Sequence, residues 1–240
     1  MTRQPEHAAP IRCERADEIM IVRVDNPPVN ALSQAVRRGL AEAVYRAEAE
    51  AGLEAVLLLC AGPTFIAGAD IREFDAPPSP PLLPEVLARI EACSKPWIAA
   101  IHGTALGGGL ETAMACAARI AAPDAKLGLP ETTLGIIPGA GGTVRLPRLV
   151  EARDALEMIA WGKPIGAPLA LERGLVDALA EGRLEDAALR FAREIARGTR
   201  PTPVSKRPVR RNASEADWTA ALAATTQKAK GWRAPVEAGE

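Results

Sequence analysis

"TALGGGLET", residues 104–112, is the stretch on which the reading of this chain turns. Three consecutive glycines, Gly107 to Gly109, lead into Leu110 and Glu111, and the run that follows, "TAMACAARIA", has the composition of a helix. Glycine is worse than alanine in a helix by about 1 kcal/mol, so three at a helix start need a reason. Two are open. Either the backbone packs too closely for side chains here, or bare N–H groups at the positive end of the helix await a ligand.

Working outward, "WIAAIHG" (97–103) reads as the strand that delivers the chain to the glycines. "EAVLLLC" (54–60) is a continuous apolar run of strand length, as expected of a strand covered on both faces. "EIMIVRV" (18–24) is a third strand, and a short one is expected near Ile120. Between them lie amphipathic helices. Ser33 caps one over residues 34–51, with Val36, Leu40, Val44 and Ala47 on one face and Gly52 at its end. Val86, Leu87, Ile90 and Cys93 mark a second, after the proline cluster "DAPPSPPLLPE" (75–85), and residues 151–197 read as consecutive short helices. Alternating strands and helices define an α/β domain over residues 1–197.

Residues 198–211, "GTRPTPVSKRPVRR", interrupt this pattern: three prolines among basic residues predict an exposed linker. A final helix is expected from Ser214, where "SEAD" has the form of a capping box, to about Lys230. Trp218, Ala221, Leu222 and Thr225 give it an apolar-leaning stripe.

Composition narrows the function classes. A chain of 240 residues, 48% hydrophobic, buries a sizeable core, and with 3% aromatics that core must be aliphatic. The net charge of −1 supplies no general attraction to nucleic acid or anionic membrane. The opening "MTRQPEHAAP" has no apolar signal core and no apolar run approaches a membrane span, so a cytoplasmic protein is expected. Cys13, Cys60, Cys93 and Cys116 lack C-x-x-C spacing and read as reduced, mostly buried thiols. His7 and His102 are too few for a histidine-rich metal site, and no metal is expected; His102 reads as structural.

The chemistry-bearing candidates cluster around the glycines. "FIAGADI" (65–71) is a second loop of small residues able to bare an N–H, and two such donors from separate loops make an oxyanion hole. Glu111 falls in the first turn of the helix, and Glu131 follows in "GLPET" behind a proline. Two carboxylates converging there would hold a water and move protons to and from carbon. By spacing alone, solvated surface positions are the commoner fate of glutamate, and that reading stays open. "GAGGTV" (139–144) lacks the third glycine of a dinucleotide fingerprint, and neither a P-loop nor a G-x-S-x-G elbow is present.

Five segments in order, "NPPVNALS", "FIAGADIREF", "GTALGGGLETAMACAARIAA", "LGLPETTLGIIPGAGGTVRL" and "ALERGLVDAL", resemble the crotonase superfamily, the enoyl-CoA hydratase/isomerase family, over residues 19–182. The resemblance implies an α/β spiral of ββα turns with a helical C-terminal region and an acyl-CoA site. It makes Ala69 and Gly108 the N–H donors to the thioester oxygen and Glu111 and Glu131 the catalytic pair. Pro28, Val29, Ala67, Gly68, Asp70, Ile71 and Arg72 match the loops that hold coenzyme A, which is part of the substrate, so no separate cofactor is implied. Leu129 in "GLPE" stands where single-domain hydratases usually carry glutamine, and with "NPPVNALS" it looks more like the N-terminal part of multifunctional fatty-acid oxidation enzymes. That pattern implies an NAD-dependent 3-hydroxyacyl-CoA dehydrogenase domain as partner, outside this sequence, and favours a monomer over a trimer or hexamer. The implied activity is hydration of a trans-2-enoyl-CoA. The alternatives are Δ3,Δ2-enoyl-CoA isomerisation and a non-catalytic acyl-CoA or RNA binder.

Overall fold

The computed structural model describes residues 9–73, 77–210, 214–229 and 233–237. β1 (Ile11–Ala16) and β2 (Ile19–Val24) pair antiparallel, with Ala16 opposite Ile19. α1 (Gln34–Ala49) follows, capped as expected by Ser33, whose hydroxyl accepts the Val36 N–H at 3.4 Å. Its stripe of Val36, Leu40, Val44 and Ala47 is buried.

β3 (Ala55–Cys60) shows why an unbroken apolar run is needed. Val56, Leu58 and Cys60 enter the main core, while Ala55, Leu57 and Leu59 enter a second core on the opposite face of the sheet. α2 (Leu83–Ala92) begins inside the proline cluster, with Pro84 in its first turn, where a missing N–H is harmless. β4 (Trp97–Ile101) then turns sharply into β5 (Thr104–Leu106), and α3 (Gly108–Ala115) starts two residues later. The same sequence recurs with β6 (Ala118–Ala121), β7 (Lys126–Gly128), a short 3-10 turn over Pro130–Leu134 and α4 (Gly142–Leu149).

α5 (Ala152–Trp161), β8 (Ile165–Gly166), α6 (Ala167–Arg173), β9 (Ala178–Leu179) and α7 (Leu184–Arg197) complete the domain. The larger sheet has the order β1-β2-β3-β4-β6-β9, parallel from β2 onward; β5, β7 and β8 form the smaller one. Two successive turns of chain, β4–β5–α3 and β6–β7–α4, thus each place a strand in the large sheet, a strand in the small one, then a helix. This is the α/β spiral of ββα turns. α7 lays Ala187, Ala188 and Ala192 against the second core.

The tail is largely exposed, as its composition predicts, yet it is tied to the domain at several points. Val204 is buried in a 3-10 turn (Val204–Lys206), the Arg200 guanidinium donates to the Cys93 carbonyl, and the Arg210 N–H donates to the Pro147 carbonyl at 2.8 Å. The prolines end helix formation, yet the Ser205 and Arg210 backbone donors find partners on the domain. α8 (Glu215–Ala229) then forms behind a reciprocal Ser214–Asp217 capping box, while Lys230 lies outside the described residues. α8 and α9 (Arg233–Glu237) lie against α5, with the Lys228 amine 4.1 Å from the centre of the Trp161 ring. Of the stripe foreseen on α8, Thr225 is buried and Trp218, Ala221 and Leu222 are half-buried. Among the described residues no helix is long and apolar enough to cross a membrane.

Candidate active site

The site is built on the step from β5 to α3. Gly107, the N-cap, has φ +53°, a region open mainly to glycine, and a Cβ there would stand 2.9 Å from Glu131 Oε1. Gly109 answers the packing reading: a Cβ would fall 2.1 Å from the Ile66 carbonyl oxygen. Gly108 differs from both. A Cβ at this position would point toward the tips of Leu83 and Leu32 and lie 3.8 Å from the Ala69 nitrogen. The second loop therefore comes to the helix start, as the two-donor expectation requires. Neither the Ala69 nor the Gly108 N–H donates to an acceptor among the described residues. A cavity of about 510 Å³ opens beside this pair, lined by Leu32, Ala69, Leu82 and Leu83 with Arg37 and Glu73 at its polar side.

The loops at 26–32 and 66–72 are stitched together by backbone bonds, Ala67 N–H to Val29 carbonyl (3.1 Å) and Leu32 N–H to Gly68 carbonyl (2.9 Å). This gathers Pro28, Val29, Ala67, Gly68, Asp70, Ile71 and Arg72 on one rim. Val29 and Ile71 are exposed apolar residues there. Asp70 is buried and accepts from Arg72 at 2.7 and 2.9 Å, which holds its carboxyl below the usual range. The Arg72 side chain itself stays largely in solvent.

Both glutamates are buried, with relative exposures of 2% for Glu111 and 9% for Glu131, so the solvated-surface alternative does not hold. Their surroundings differ. Glu111 Oε1 accepts two N–H bonds, from Ala140 (2.8 Å) and Gly142 (2.7 Å). Burial raises its pKa above the ordinary value, and these two donors together with the Arg145 charge offset only part of that rise. Glu131 has fewer partners: among the described residues Oε2 meets no hydrogen-bond donor. Burial, with a smaller push from the Glu111 charge, raises its pKa from 4.5 to about 7.

Sequence reasoning missed the clamp on Glu111. "GAGGTV" signalled close backbone approach, but the group approached is this carboxylate rather than a nucleotide. A Cβ on Gly142 would stand 3.0 Å from Glu111 Oε1. His102 is structural, its Nε2 2.9 Å from the Gly62 carbonyl oxygen.

The α/β spiral brings two backbone N–H groups that have no acceptor among the described residues to the same region as two unequal buried carboxylates. Residues 14–229 match the family described as Enoyl-CoA hydratase/isomerase, and the chain belongs to that family. It is 49% identical over 175 residues to a peroxisomal bifunctional enzyme of Danio rerio, covering 72% of this chain and 24% of that protein. To a probable enoyl-CoA hydratase of Bacillus subtilis (strain 168) it is 48% identical over 174 residues, covering 70% of this chain and 67% of the relative. The crystal structure of an enoyl-CoA hydratase from Bacillus anthracis aligns with a TM-score of 0.73 at 38% identity, over 78% of this chain and 76% of that one. The chain spans about a quarter of the length of the bifunctional relative.

Proposed function

We propose that this chain is an enoyl-CoA hydratase, adding water across the 2,3 double bond of a trans-2-enoyl-CoA to give a 3-hydroxyacyl-CoA. The observation that carries this reading is the inequality of Glu111 and Glu131. Coenzyme A lies along Pro28, Val29 and the 67–72 loop, and no separate cofactor takes part. The thioester oxygen accepts from the Ala69 and Gly108 N–H groups. Glu111, its charge supported by two backbone donors, holds the water through Oε2 and takes its proton as the oxygen attacks C3. The electron pair of the double bond moves toward the thioester oxygen, where each N–H donor is worth about 2.7–4 kcal/mol in the transition state. Glu131, protonated to about neutral pH, delivers its proton to C2. The two titrate as a pair, and a proton passing from Glu111 to Glu131 resets the site.

Isomerisation needs one shuttling carboxylate, so burial of both at one site favours hydration. The RNA-binding alternative has less support, because Arg207 and Arg210 each donate to a backbone carbonyl of their own chain. Four free cysteines fit a reducing, cytoplasmic setting, and a bifunctional relative fits a dehydrogenase domain as partner. The test is loss of enoyl-thioester absorbance with crotonyl-CoA and a long-chain trans-2-enoyl-CoA, side by side with a 3-enoyl-CoA. Turnover of either 2-enoyl substrate, abolished in Glu111→Gln, is expected. Action on the 3-enoyl-CoA alone, or a fully active Glu111→Gln, would overturn the proposal.

A further inference from the structure

Glu111 is held at Oε1 by a loop whose own shape is set from behind. Arg145, on α4, folds back over that loop. Its Nη1 donates to the Ala140 carbonyl at 3.0 Å, while the Ala140 N–H donates to Glu111. The guanidinium lies so close over Gly141 that a Cβ there would stand 2.3 Å from Nη1. On its far side Nη2 donates to Glu91 Oε2 at 2.9 Å, and both side chains are under 10% exposed. Glu91, on α2, is itself pinned: its Oε1 accepts the Ser205 N–H of the tail at 2.8 Å.

A buried ion pair is weak evidence for stability in itself, since desolvation offsets much of the attraction. Here its third contact ends on the residue that grips the carboxylate. Ala140 is bound at its carbonyl by Arg145 and at its N–H by Glu111, so its orientation is fixed from both sides. Arginine's planar fork reaches Glu91 and Ala140 at once; a lysine amine is a single point that cannot span both in the same geometry.

We propose that Arg145, anchored by Glu91 and through it by the 204–206 turn, is a positioning residue for Glu111. It locks the Ala140–Gly142 backbone so that both N–H groups meet Oε1 and the second oxygen is aimed at the reacting water. The inference rests on the hydratase reading above. It adds that the tail after residue 198, which among the described residues makes no hydrogen bond to Glu111 or Glu131, is coupled to the chemistry through Ser205, Glu91 and Arg145.

The experiment measures kcat and KM for crotonyl-CoA hydration, with calorimetric binding of butyryl-CoA, in Arg145→Lys, Arg145→Met and Glu91→Gln. Displacing a catalytic group by about 1 Å lowers turnover about 100-fold, so Arg145→Met should lose about 10–100-fold in kcat, with the other two between it and wild type. KM and butyryl-CoA affinity should stay within about threefold, because the oxyanion donors and coenzyme A loops are elsewhere. Should a single variant fail to fold, the apolar pair Glu91→Leu/Arg145→Met restores packing without the ion pair. Its kcat should be as low as that of Arg145→Met. Wild-type kcat in any folded arginine variant or in the double variant, or a loss confined to KM and binding, would overturn the proposal. Glu111→Gln runs alongside: if it is active the hydratase reading itself fails, whereas an inactive Glu111→Gln beside an active Arg145→Met removes only the positioning role.

Discussion

Replacing Glu131 by glutamine removes a proton donor and a buried acid in one step, and the two losses act in opposite directions. The folded protein holds the Glu131 proton up to about pH 7, whereas an unfolded chain releases it near the ordinary value of 4.5. Between these values the folded state binds more protons than the unfolded one, so wild-type stability falls as pH rises through the window. At about 1.4 kcal/mol per tenfold change the full difference is about 3 kcal/mol, present below pH 4.5 and gone above pH 7. Glutamine keeps the shape and never ionises, so Glu131→Gln escapes this loss. It also relieves Glu111 of a like charge. Urea unfolding of both proteins at pH 5 and pH 8.5, paired with crotonyl-CoA hydration, tests this directly. The stability difference should move toward the variant by about 2.5 kcal/mol between the two pH values, part of the full difference being already lost at pH 5, while turnover falls by about 10²–10⁴-fold. A difference that stays constant with pH would refute the burial argument, and near-normal turnover would refute the catalytic one.

Gly108→Pro removes one of the two N–H groups proposed to meet the thioester oxygen, at the first helical position, where proline is tolerated, so a folded protein with kcat lowered about 10²–10³-fold is expected from circular dichroism and the hydration assay. Gly109→Ala should fail by the other route: with the Ile66 carbonyl 2.1 Å from the new Cβ, thermal unfolding should show at least about 1–3 kcal/mol of destabilisation. The fold-back of α8 onto α5, through Thr225, Ala229 and the Lys228–Trp161 contact, leads us to expect a monomer in sedimentation equilibrium. A stable trimer with residues 214–229 in its interface would reverse that expectation.

The parts of the fold that were legible are those where local pattern and burial coincide. β3 is apolar at every position because helices cover both faces of its sheet, and α1 repeats every three or four residues because one face is covered. β1, "IRCERA", was not recognised, since its charged alternate residues face solvent and its pairing with β2 is a tertiary fact. β8 and β9 are two residues each and exist only through their partners. Composition described the exposure of the tail but not its attachment: Ser205 and Arg210 are held through backbone N–H groups, which all residues but proline carry and which leave no sequence signal. For the same reason Glu91 and Arg145, 54 positions apart, carry no spacing signal. The glycine run is the instructive case, because its two competing readings are true of adjacent residues. Gly109 is small so that α3 can press on the backbone at Ile66, while at Gly108 the N–H has no acceptor among the described residues and a Cβ would meet the tips of Leu83 and Leu32 at 2.9 and 3.0 Å. A helix start can offer that N–H at a fixed place only if the turn behind it is packed tightly. The packing at Gly109 is therefore part of what holds the donor at Gly108 in position.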